Sequence, residues 1–182
     1  MNNTIFAVIA VLLLLFIVIV YNKLITLRNY VKEAFSTMDV YLKKRWDLVP
    51  NLIEIVRAYA KHEKGLLEEV AKLRSESYSD MSENDKIDTN KKFGESLSKI
   101  IAIVENYPDL KANEHYAKLM DELMVIENDI ANSRKYYNGT VREYNNVVQM
   151  FPSNIVATIF GYKVKKMFEA SDEEKDNVKV KL

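Results

Sequence analysis

The chain has no cysteine. That excludes disulfides, thiolate metal sites, thiol catalysis and a cysteine-linked lipid anchor. Its only histidines are His62 and His115. Residue 59 is Tyr and residue 112 is Ala, so neither histidine closes a Glu-x-x-His pair. His62-Glu63 is followed at position 66 by Leu, so no His-Glu-x-x-His occurs either. The four glycines (Gly65, Gly94, Gly139, Gly161) stand singly, and no phosphate-cradling loop can form. The three prolines are Pro50, Pro108 and Pro152. So few breakers predict a small number of long helices. An excess of one charge is also missing, because 26 Lys+Arg balance 26 Asp+Glu. A nucleic-acid binder needs a basic face, so that class is excluded. Together these absences predict no enzyme, no cofactor, no metal and no small-molecule substrate.

What is present begins with Ile5 to Val20, IFAVIAVLLLLFIVIV, sixteen apolar residues without a charge. Thr4 and Tyr21 extend the run. At 1.5 Å per residue it reaches about 27 Å, close to the thickness of a hydrocarbon core. Tyr21 falls where an interfacial aromatic belongs. A cleaved signal would need a basic start, a shorter apolar core and small residues at a cleavage site. Residues 1–4 carry no charged side chain, and Tyr21-Asn22-Lys23-Leu24 offers no such site. An uncleaved transmembrane anchor over 1–21 is therefore expected. Basic residues flank only its C-terminal side: Lys23, Arg28, Lys32 and then Lys43-Lys44-Arg45. They predict a short N-terminus outside and the remainder in the cytoplasm, in a bacterial inner membrane.

At 182 residues the chain has room for one modest domain beyond the anchor. After residue 21 the apolar positions become periodic. Leu24, Leu27, Val31, Phe35, Met38 and Leu42 step by three or four, one face of an α-helix. Pro50 disfavours α conformation at Val49 and predicts a break or kink there. A second helix is expected from Asn51 to Ser77, with Leu52, Val56, Tyr59, Leu66, Val70 and Leu73 as its stripe. Ser75 to Asp80 reads as a polar connector, and Ser82 with Asp85 as an N-cap with an acidic partner. The third helix carries Ile87, Phe93, Leu97, Ile100, Ile101 and Val104 and stops at Tyr107-Pro108. The fourth starts at Asn113-Glu114 and holds Tyr116, Leu119, Leu123, Ile126, Ile130, Tyr137, Val141, Tyr144 and Val148 at helical spacing. The expected fold is all-α: an N-terminal transmembrane helix continuing into an antiparallel up-down four-helix bundle of long helices over 22–150. A coiled-coil dimer is the rival arrangement, and the turns favour the closed bundle. A short apolar-basic helical segment follows over 151–170. A charged tail over 171–182 is expected to be disordered.

Several stretches resemble one family. They are Tyr21-Asn22, Leu27-Arg28-Asn29, the run from Met38 to Leu52 (MDVYLKKRWDLVPNL), Tyr59 to Glu63, Glu105 to Lys111 (ENYPDLK), Glu127 to Ile130, Arg134 to Asn138 (RKYYN), Tyr144-Asn145 and Phe151 to Asn154 (FPSN). In that order they are similar to the signature of the bacterial LemA family. Leu73 departs from the family's usual Ala, a change that touches packing only. The resemblance implies a single-pass bacterial membrane protein with a four-helix bundle. It implies no reaction, and it suggests roles in membrane organisation or membrane-protein quality control.

Polar residues inside these stretches predict a structural network. Asp39, Arg45, Asp47, Asn51 and Glu54 gather near Pro50, and Glu127, Arg134 and Asn138 share roughly one helix face at spacings of seven and four. Such a network would fix helix register while adding little net stability. A ligand cleft between the helices is the alternative. Ile155, Ile159, Phe160 and Phe168, with Lys163, Lys165 and Lys166, have the composition of an interfacial helix on anionic lipid. The other reading of that segment packs it over the end of the bundle. The functional expectation is a non-enzymatic membrane-tethered scaffold or adaptor that engages protein partners or itself. The alternative is a ligand or stress sensor built on the polar cluster.

Overall fold

The structure is a computed structural model that describes residues 2–60, 62–74 and 77–168. Every regular element among the described residues is helical: α1 (Asn2–Tyr59), α2 (Lys64–Leu73), a 3-10 turn (Tyr78–Asp80), α3 (Glu83–Val104), α4 (Pro108–Lys111), α5 (Glu114–Gln149) and α6 (Ser153–Ile159). The tail expected to be disordered, 171–182, lies outside the described residues.

The break expected at Pro50 does not occur. Pro50 lies inside α1, which continues for nine residues beyond it. Proline removes one helical hydrogen bond and costs about 3 kcal/mol in a helix interior. The flanking turns offset that loss, because Trp46, Val49, Leu52, Ile53 and Val56 are all buried. Burying each large apolar side chain contributes about 1.5–3 kcal/mol. The helix expected over Asn51–Ser77 is therefore the end of α1 followed by the ten-residue α2.

The described chain forms two compact units, one of residues 2–37 with 133–167 and one of residues 38–132 with 168. In the first, α1 changes character along its length. Its large apolar residues from Ile5 to Ile19 are exposed except the half-buried Ile17, and regular burial starts at Val20 and continues through Leu24, Leu27, Val31 and Phe35. The end of α5 supplies the opposing stripe of Tyr137, Val141 and Tyr144, and the Phe35 and Tyr137 rings meet edge-on at 5.8 Å. The chain then turns into α6, which buries Val156 and Ala157. Gly161 ends α6 at φ 72°, a left-handed conformation that favours glycine. Its N–H donates to Thr158 O at 3.1 Å and the Tyr162 N–H donates to Ala157 O at 2.8 Å, which closes the helix end. Of the helical segment expected over 151–170, Ser153–Ile159 is helical and residues 162–168 run without regular structure, while 169–170 lie outside the described residues.

In the second unit, α1 buries Met38, Leu42 and Trp46, α2 buries Leu67 and Val70, and α3 buries Ile87, Phe93, Leu97, Ile100 and Val104. The first part of α5 buries Leu119, Leu123, Ile126 and Ile130. Trp46 packs on Tyr78 and Phe93, with ring centroids 5.3 and 5.0 Å apart. The expected cap of α3 is present as a reciprocal box: Ser82 Oγ accepts from the Asp85 N–H, and Asp85 Oδ2 accepts from the Ser82 N–H. Asn113 Oδ1 accepts from the backbone N–H groups of His115 and Tyr116 at the start of α5. Its amide also donates to Tyr59 Oη at 2.9 Å, tying that start to the end of α1.

Candidate functional site

The most deeply buried charge in the second unit is Arg45 of α1, only 3 % exposed. A desolvated guanidinium needs a counter-charge and filled hydrogen bonds. Its Nη1 donates to Glu127 Oε1 of α5 at 2.5 Å. Its Nη2 donates to the backbone oxygen of Asn90 on α3 at 2.9 Å and also to that residue's side-chain oxygen. One residue thereby joins three helices. Asp39, one and a half turns earlier on α1, accepts from Tyr78 Oη at 2.5 Å and from Lys86 Nζ at 2.8 Å. Lys86 also lies over the Tyr78 ring, 4.5 Å from its centroid. Burial, and then the hydrogen bond and negative charge of Asp39, push the Tyr78 hydroxyl above its ordinary pKa. The space among Leu42, Arg45, Trp46, Tyr78, Lys86, Thr89, Asn90 and Phe93 is about 10 Å³. That holds about one water and no organic ligand.

The other residues expected in the network lie elsewhere. Asp47 is exposed and pairs with Lys43 one turn away. Asn51 and Glu54 are exposed. Arg134 and Asn138 are half-buried and belong to the first unit. Asn90, Tyr78 and Lys86 are partners that the sequence reading missed. A signal existed for them: Lys86, Asn90 and Phe93 share one face of α3 at spacings of four and three. Tyr78 is also the lone aromatic in an otherwise polar connector. Both histidines are exposed. Among the described residues no three His, Asp or Glu gather as a metal-ligand set. Chemically, the cluster can hold α1, α3 and α5 in one register. Its groups spend their bonding capacity on one another.

The first unit carries a different polar arrangement. The backbone after α6 is held against α5 by side chains. Tyr144 Oη donates to Lys163 O at 2.9 Å and Tyr137 Oη to Lys166 O at 3.0 Å. The Asn145 amide takes both backbone groups of Lys165, donating to its oxygen at 2.9 Å and accepting from its N–H at 2.8 Å. Burial raises the Tyr144 pKa, with the nearby Tyr162 adding to it. Of the residues considered for membrane contact, Ile155, Ile159, Phe160, Lys163 and Lys166 are exposed and Lys165 is half-buried. Phe168 is buried, so its side chain is not on that surface.

Among the described residues these features define an all-helical protein with one helix long and apolar enough to cross a membrane; its most hydrophobic window is 6 % buried. The chain belongs to the LemA family, whose family model matches residues 34–182. Magnetosome protein MamQ 2 of Paramagnetospirillum magneticum is 34 % identical over 77 residues, covering 42 % of this chain and 28 % of that protein. Magnetosome protein MamQ of Magnetospirillum gryphiswaldense is 24 % identical over 174 residues, covering 81 % of this chain and 64 % of that protein. Protein LemA of Metamycoplasma hominis is 23 % identical over 158 residues, covering 86 % and 72 %. The chain therefore spans less than two thirds of the length of the MamQ proteins it matches.

Proposed function

We propose that this chain is a non-enzymatic, membrane-tethered helical scaffold or adaptor that organises membrane proteins or membrane structure. The observation that carries the reading is α1 itself. One unbroken helix carries the mostly exposed apolar run Ile5–Ile19 and, further on, buries Trp46 and Val56. A helix of that kind gives the chain a surface for the bilayer and a stripe for a packed core. The polar cluster supports the same role: Arg45 ties α1 to α3 and α5 without leaving space for a substrate. Those ties also support a bundle arrangement of the helices in the second unit. The basic flank Lys23, Arg28 and Lys32 supports a cytoplasmic body in a bacterial inner membrane. Relatives named as magnetosome proteins support a membrane-associated role.

Two measurements test this. In right-side-out vesicles the body should resist added protease, and digestion there would reverse the orientation. A photo-crosslinking residue at Met124 or Val125, both large, apolar and exposed on α5, should capture a defined neighbour or a second copy in native membranes. A chain that stays monomeric in the bilayer and crosslinks to nothing would refute the scaffold role.

A further inference from the structure

Five large apolar side chains are exposed within residues 150–160: Met150, Phe151, Ile155, Ile159 and Phe160. Phe151 is 80 % exposed and Ile159 69 %. The inward face of α6 is already filled by Val156 and Ala157. Ile155 and Ile159 are one turn apart, so both stand on the outward face. A helix facing water would carry polar groups there.

The position of this surface says what covers it. The Phe160 ring meets Tyr21 at 4.7 Å, and Tyr162 meets Tyr21 at 6.3 Å. Tyr21 is the first residue after the apolar run Ile5–Val20. The exposed apolar surface therefore sits where α1 would leave the hydrocarbon. The charges that follow are basic: Lys163 and Lys166 are exposed, and Arg28 lies over the Tyr162 ring at 5.6 Å. Apolar groups next to lysines are the composition that anionic membrane interfaces bind. The bonds from Tyr144, Tyr137 and Asn145 hold the backbone of 163–166 in place, so this surface is presented by a fixed element.

We propose that residues 151–166 make a second contact with the same bilayer. Ile155, Ile159 and Phe160 enter the headgroup–acyl boundary, and Lys163 and Lys166 meet anionic headgroups. The proposal rests on the reading of α1 as a membrane span. A single span can rotate about its own axis and tilt. A second contact fixes both, so the first unit presents one defined side to its surroundings.

The lack of cysteine makes the test direct. Full-length Leu13→Cys and Ile159→Cys variants, each carrying an environment-sensitive fluorophore, are placed in vesicles of phosphatidylcholine and phosphatidylglycerol. The Leu13 probe should be quenched by a nitroxide deep in the acyl chain, and the Ile159 probe by one near the headgroup. Both should be shielded from aqueous iodide. Lys163→Glu with Lys166→Glu should lower shallow quenching at Ile159 about twofold or more. An Ile159 probe open to iodide, beside a quenched Leu13 probe, overturns the second contact and leaves the span standing. An Ile159 probe shielded from iodide but untouched by lipid nitroxide assigns the surface to a protein contact, with a second copy or with the chain itself, and also overturns it. A Leu13 probe open to iodide overturns the span and this contact together.

Discussion

Arg45→Met, Glu127→Gln and the double variant should separate the register cluster from ordinary packing. Arg45→Met removes a cation that is 3 % exposed and keeps most of the side-chain length. The Asn90 side-chain oxygen then loses its donor, at about 1–3 kcal/mol for a buried acceptor. The Asn90 backbone oxygen lies inside α3 and keeps its helical partner. The Glu127 side chain is 37 % exposed, so water partly replaces the lost ion pair. The guanidinium no longer has to be desolvated, which returns part of the loss. The net for Arg45→Met is about 1–3 kcal/mol. Glu127→Gln instead leaves a buried cation without a counter-charge, at about 2–4 kcal/mol, reduced from the about 3–5 kcal/mol of a fully buried pair because Glu127 is partly exposed. Once Arg45 is Met, the second change should add little. The expected coupling therefore has the size of the Glu127→Gln cost, about 2–4 kcal/mol. The assay is urea unfolding of the full chain in detergent micelles, followed by emission of Trp46, the only tryptophan and one that is buried. Additivity of the two single variants within about 0.5 kcal/mol would refute the reasoning, because uncoupled sites add to that precision.

Three further outcomes follow from the same geometry. The Tyr78 pKa is raised by burial and by Asp39, so its stabilisation is intact below the unfolded-state pKa of about 10. Above that only the folded state keeps the proton, and stability should fall with pH by about 1.4 kcal/mol per unit; Tyr78→Phe should flatten part of that alkaline slope, and an unchanged slope would remove Tyr78 as its source. Pro50→Ala should raise stability by about 1–3 kcal/mol, since α1 continues through the proline and regains a hydrogen bond; a loss in urea melts would mean that the packing depends on the proline. Asn145→Ala removes both bonds to the Lys165 backbone and should speed tryptic cleavage after Lys163 or Lys166 by about thirtyfold, the equivalent of about 2 kcal/mol. Cleavage at the original rate would show that the tyrosine bonds suffice.

Much of the fold was legible because helical spacing and caps are local. The stripe from Leu24 to Leu42 is buried as its spacing predicts, and Ser82 with Asp85 forms the expected box. Pro50 misled for a physical reason. Its local penalty is about 3 kcal/mol, and long-range burial of Trp46, Val49, Leu52 and Ile53 outweighs it. Tyr78 was read as part of a polar connector because its neighbours are Ser and Asp. Its burial against Trp46 depends on a residue 32 positions away in sequence.

By itself the sequence determined the all-helical class, the apolar run able to cross a membrane and the lack of cysteine. Each of these is carried by composition or by short-range periodicity. Only the tertiary structure decided which polar residues meet. Arg45 finds Asn90 and Glu127 across 45 and 82 positions, while Asp47, Asn51 and Glu54, close beside it in sequence, face outward. It also decided that the backbone beyond Gly161 leaves the helix to be held by Tyr137, Tyr144 and Asn145. Hydrogen bonds between distant side chains and backbone have no periodic imprint in the chain, whereas a helix face does.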